Sequence, residues 1–170
     1  ENAVMPGTVF TSPIKGLFGS VFKKTPKLLG RWAVSDESMK TINELKNIYS
    51  KSSGLQNLDT LIEGLKSKTI GEKEAYHEIS EFGRGIKKKY GLDIELVQPG
   101  SVQEATETGN YASMNIKPNT IVIEEQITGD PLHFAKELRH EYGYYLVKSN
   151  YGGQVPLLKD VPNFKGGMGE

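Results

Sequence analysis

The sequence predicts an α+β domain with a helical N-terminal half, a small antiparallel sheet, and one long helix packed on that sheet. Three observations lead there. From residue 35 to about 90, apolar side chains recur every three or four positions, which is the period of a helix. From 92 to 125 the period falls to two, broken by Pro99-Gly100 and by Lys117-Pro118-Asn119. From Asp130 the helical period returns and continues to Lys148.

Each element has its own signals. SDESMKTINELKNIYSKSSG opens on a Ser/Asp cap, places Met39, Ile42, Leu45 and Ile48 on one face, and is expected to end at Gly54. A second helix from Leu55 to Lys68 carries Leu55, Leu58, Leu61, Ile62 and Leu65 and stops before Gly71. A third, from Glu72 to Tyr90, turns Ala75, Ile79, Phe82 and Ile86 inward. Gly83 and Gly85 weaken it, and Lys87 to Lys89 suit its C-terminal dipole. Leu92, Ile94 and Leu96 then alternate with Asp93, Glu95 and Val97 in a half-buried strand. Residues 100–110 read as polar loop. Residues 112–116 and 120–125 read as a hairpin of two strands. Asp130 caps the last helix and Pro131 takes its first position, where a missing N–H costs nothing. Ala135, Leu138, Tyr142, Tyr145 and Leu146 form its apolar side. The Gly- and Pro-rich stretch that follows is read as irregular.

Composition narrows the function. The chain has 170 residues, long enough for a core, and its formal net charge of zero makes no global case for nucleic acid or a membrane as partner. It has no cysteine, which excludes disulfides and thiolate metal sites. No apolar run approaches the roughly 20 residues of a membrane span, so no stable membrane anchor is expected. Residues 1–34 carry Lys15, Lys23, Lys24, Lys27 and Arg31 against Glu1 alone, and Gly and Pro punctuate them too often for a long helix. They are read as a linker packed loosely on the domain or as an entry segment that touches membranes or a translocation partner. Residues 35–170 are read as a single domain. The opening ENAVMPG reads as a cut from inside a longer chain.

The last helix bears a second stripe. His133, Glu137, His140 and Tyr144 recur at steps of three and four, so they share a face, and the chain has only one other histidine, His77. His140-Glu141-Tyr142-Gly143-Tyr144 is one residue short of His-Glu-x-x-His, in which two histidines a turn apart hold zinc and the glutamate takes a proton from metal-bound water. His133 and His140 cannot share a metal along one straight helix, because seven residues separate them by about 10.5 Å. Glu137 and His140 can, since a Glu-x-x-His pair spans one turn. Downstream, the acids are Asp160 and Glu170. His77 and Glu81 are also a turn apart, but that pair reads as a solvated helix face.

TIVIEE, a short turn, and a helix with ELRHEYGYYLV together resemble the core of zincin-type metallopeptidases, where an edge strand precedes an active-site helix reading xELxHExGHxL. Glu137, Leu138, His140, Glu141, Gly143 and Leu146 occupy matching positions over about 30 of the residues. The polar helical front half resembles the C-terminal toxin modules of bacterial polymorphic and contact-dependent toxins. These resemblances imply Glu141 as the general base and zinc as the cofactor, held by His140 and by position 144, where the chain has Tyr144. Glu137 and Asp160 are further candidate ligands. They also imply that Ile121, Val122 and Ile123 align an extended protein or peptide substrate by strand addition. A cognate immunity protein is the implied partner. The implied setting is delivery from a bacterial cell within a larger toxin, with action in the target-cell cytoplasm. Tyr144 in place of histidine implies an impaired site. Two rival readings remain open: a metal-free nuclease toxin using Arg139, His140, Glu141 and a tyrosine, and a non-catalytic binding module on the same scaffold.

Overall fold

A computed structural model of the chain describes residues 35–154. The arm 1–34 and the stretch 155–170, which contains Asp160, lie outside the described residues. The elements in chain order are helices α1 (Asp36–Lys51), α2 (Ser53–Lys66) and α3 (Glu72–Tyr90), strand β1 (Asp93–Val97), helix α4 (Ser101–Thr106), strands β2 (Ala112–Ser113) and β3 (Thr120–Glu124), a 3-10 turn (Glu125–Gly129), and helix α5 (Pro131–Asn150). The class is α+β, as the periods predict. The described residues form two compact units, one built from Ser52–Glu107 and Tyr111–Gly143, the other from 35–51, Thr108–Asn110 and 144–154.

The larger unit begins at Ser52, not at Gly54. Ser52 adopts an extended backbone (φ −86°, ψ 109°) and its hydroxyl accepts from the Leu55 N–H at 3.1 Å, so it ends one helical run and caps the next. Gly54 sits inside the first turn of α2 for a packing reason: a Cβ there would lie 2.9 Å from Cε2 of Tyr142. Leu55, Leu58, Leu61 and Ile62 are buried as predicted. At the far end the Thr69 and Ile70 N–H groups bond back to the Gly64 carbonyl, and a Cβ on Gly64 would overlap the Ile70 side chain. Helix α3 buries Ala75, Ile79 and Ile86 and closes on Gly91 in the left-handed region (φ 69°). Its Gly83 admits Ile94 of β1 at ordinary contact distance.

The sheet departs from expectation. It is mixed, in the order β1-β3-β2, with β1 parallel to β3 and β2 antiparallel to it. Ile94 stands opposite Ile121 and Leu96 opposite Ile123. A parallel pair needs a crossover instead of a tight turn, and residues 98–119 supply it. The stretch read as polar loop holds α4 within that crossover. The expected hairpin shrinks to two pairs, Ala112 with Ile123 and Ser113 with Val122. Every residue of β3 is buried, the mark of a central strand.

In the smaller unit, Ser35 caps α1 as predicted, its hydroxyl accepting from the Ser38 N–H at 3.1 Å. Ile42 and Leu45 are buried, while Met39 and Ile48 are half-buried. The Tyr151 hydroxyl donates to Glu44 at 2.6 Å and ties the residues after α5 to α1.

Candidate functional site

Helix α5 is aimed by the segment before it. Chain leaving β3 makes one 3-10 turn, and the Tyr76 hydroxyl of α3 pins that turn by donating to the Thr128 carbonyl at 2.5 Å. Asp130 then caps the helix by accepting from the Leu132 N–H at 3.0 Å. Phe134, Ala135, Leu138 and Tyr142 are buried. The Tyr142 ring meets Phe82 edge-on, with centroids 5.2 Å apart and an interplanar angle of 85°, and it also approaches Tyr90. These contacts and the Arg139–Asp59 pair hold α5 against α2 and α3.

The C-terminal half of α5 differs from the predicted pattern. Tyr145 and Leu146 are half-buried, and Val147 is fully buried in their stead. The inward face therefore follows His140, Tyr144 and Val147, at steps of four and three. The stripe that looks polar in the sequence is enclosed, with His140 at 3% exposure, Glu141 at 3% and Tyr144 at 7%. All five residues from His140 to Tyr144 are buried, so this turn is covered all round. Glutamate is rarely buried so completely without a partner, and both His140 and Glu141 make contacts of their own. The Nδ1 atom of His140 is a buried nitrogen that no hydrogen bond reaches among the described residues.

At the N-terminal half the stripe opens to solvent. His133 Nε2 lies 3.5 Å from Glu137 Oε2, with side-chain exposures of 40% and 13%. The His133 ring also stands edge-on to Tyr111, with centroids 6.0 Å apart and an interplanar angle of 89°. Arg139 forms a two-pronged pair with Asp59, its Nη2 donating to the second carboxylate oxygen, Oδ2, at 3.3 Å.

The expected zinc ligands are only partly brought together. His140 and Tyr144 are one turn apart on one helix, but Glu137 points its carboxylate to His133, and Asp160 lies outside the described residues. Among the described residues, no three of His, Asp and Glu converge as a metal-binding group. A catalytic zinc takes three protein ligands and leaves one position for water. Of these three, the described residues place His140 and position 144 one turn apart on α5. β3, which carries Ile121, Val122 and Ile123, lies between β1 and β2, paired with β1 along its whole length and with β2 at Val122 and Ile123. His77 is exposed, and Glu81 pairs with Arg84, which leaves that face solvated as predicted.

One buried carboxylate went unnoticed in the sequence. Glu124, at the end of β3, is fully buried. Its Oε1 accepts from the Gly100 N–H at 2.7 Å and from the Gln126 amide at 2.7 Å. Its Oε2 accepts from the N–H groups of Val102 and Gln103 at 2.9 and 3.1 Å. Burial raises its pKa, but these hydrogen bonds from Gly100, Gln126 and Gln103 outweigh that and hold it below the usual carboxylate range. Glu124 thus caps α4 from another element and locks the crossover onto the sheet. Its signal was an acid ending an otherwise apolar strand a short distance before a helix cap.

Comparison with protein-family models, with curated proteins and with solved structures found no match to this chain. No helix among the described residues is long and apolar enough to cross a membrane.

Proposed function

We propose that this chain is a zincin-like metallopeptidase toxin domain whose peptidase site is impaired by Tyr144. The observation that carries the reading is the enclosed turn His140 to Tyr144. It follows a strand, a short turn and a capped helix start, and it buries a histidine beside a glutamate. Burying both groups in a plain amphipathic helix would cost free energy that Leu or Ala at the same positions would not. Glu141 holds the place of the carboxylate that takes a proton from attacking water. His140 and position 144 hold the places of two ligands. The motif resemblance supports the further parts of the reading: a protein or peptide substrate, a cognate immunity protein as partner, and delivery into a target cell as part of a larger toxin.

The test is Tyr144→His. Positions four apart on a helix have Cβ atoms about 5–6 Å from each other, a span that two His–Zn bonds of about 2.0–2.1 Å can close. Zinc at a hundredfold excess over Kd should stabilise the folded variant by about 2.7 kcal/mol and raise its Tm, and chelator should reverse this. The variant should also cleave an unfolded protein such as casein, and adding Glu141→Gln should abolish that cleavage. A Tyr144→His protein that neither responds to zinc nor cleaves would end the peptidase reading. The metal-free nuclease or the binding-module reading would then replace it.

A further inference from the structure

The His133–Glu137 pair is the one place on α5 where two metal-ligand side chains converge and remain open to solvent. Their separation is informative. At 3.5 Å, His133 Nε2 and Glu137 Oε2 stand farther apart than a good N–H···O hydrogen bond, whose usual range is about 2.7–3.2 Å. Two ligand atoms bound to one zinc at about 2.0–2.1 Å and meeting near the tetrahedral angle lie about 3.4 Å apart. The pair's separation therefore matches the distance between two ligand atoms that share one cation.

Its surroundings fit as well. The edge-on contact with Tyr111 restricts the imidazole on one side, which lessens the freedom the ring loses on binding. Glu137 is mostly covered and His133 is two-fifths exposed, so a metal can arrive from solvent and keep water in its remaining positions. Imidazole plus carboxylate is a ligand set that divalent transition metals such as zinc accept.

We propose that His133 and Glu137 form a divalent-metal site, separate from the His140–Tyr144 turn and present in this chain as it stands. The ligand atoms are His133 Nε2, in its neutral form, and Glu137 Oε2, and water completes the shell. Any proton on the imidazole nitrogen leaves as the metal binds. This inference does not need the peptidase reading. It takes Glu137 away from His140 and gives it to His133.

The experiment is calorimetric titration of the untagged chain with zinc chloride. One equivalent should bind. His133→Asn and Glu137→Gln, both conservative changes, should each weaken binding tenfold or more while leaving the circular dichroism spectrum unchanged. Absence of binding, or binding that neither substitution weakens, would overturn the proposal. A second measurement uses the unaltered chain. Substoichiometric Cu²⁺ should broaden the amide resonances around 133–137 and at Tyr111 first, and broadening centred elsewhere would also overturn it. Repeating the Tyr144→His titration in the His133→Asn background keeps the two readings apart. A zinc response that survives there belongs to the 140–144 turn, and one that is lost belongs to His133.

Discussion

Replacing Glu124 by glutamine changes one atom and one charge at a fully buried position. Three backbone N–H groups, from Gly100, Val102 and Gln103, donate to the carboxylate, and the Gln103 and Gln126 side-chain amides also bond to it. A hydrogen bond to a charged acceptor contributes about 1.5–3 kcal/mol, against about 0.5–1.5 kcal/mol for a neutral one. With Gln, the side-chain amides of 103 and 126 can turn to offer oxygens, but backbone donors cannot. Losing about 1 kcal/mol at each of three backbone bonds sums to about 3 kcal/mol, a large share of a typical domain's 5–15 kcal/mol. Urea unfolding followed by far-ultraviolet circular dichroism measures this, and an unchanged m-value would show that only stability has moved. The pH dependence has a definite sign. Glu124 is held below its ordinary pKa, so its contribution is present above the unfolded value of about 4.3 and is lost as pH falls through the folded value. The gap between the protein and E124Q should therefore be constant from neutrality to about pH 5 and should narrow below about pH 4. A gap under about 1 kcal/mol at pH 7, or one that widens on acidification, would show that the carboxylate does not hold the crossover as argued.

Two further substitutions test how the helices end. Gly71 is the N-cap of α3, makes no side-chain cap bond, has open space around it and precedes Glu74 by three positions. Gly71→Ser completes a capping box and should raise stability by some tenths to about 1 kcal/mol in the same urea assay. Gly64→Ala should instead destabilise by about 1–3 kcal/mol, because the added methyl meets Ile70. Most of that loss should vanish in an Ile70→Ala background, a coupling that a double-mutant cycle reads directly.

Local chemistry made several features of this protein legible in its sequence. The Ser35 and Asp130 caps and the inward positions Leu55, Leu58, Leu61, Ala75, Ile79 and Ile86 each depend on neighbours within one or two turns, and each stands where the sequence placed it. The presence of His140, Glu141 and Tyr144 on one helix was equally local. Other features depend on residues distant in the chain. Gly54 looked like a helix end until Tyr142, from another helix, was found lying against it. Residues 101–106 carry no strong helical pattern, and their capping acceptor, Glu124, is more than twenty residues away.

The direction of β1 against β3 also escaped the alternation pattern, because a period of two is the same for parallel and antiparallel strands. That choice made TIVIE a buried central strand, with β1 along one side and the short β2 along the other. The same distinction applies to α5. Spacing alone put His133, Glu137, His140 and Tyr144 on one stripe, because a helix repeats every 3.6 residues whatever surrounds it. Which end of that stripe is closed and which is open depends on what packs over it, and no periodicity encodes that. Tertiary packing buried His140 and Glu141 and left His133 partly open to solvent beside the mostly covered Glu137, 3.5 Å apart.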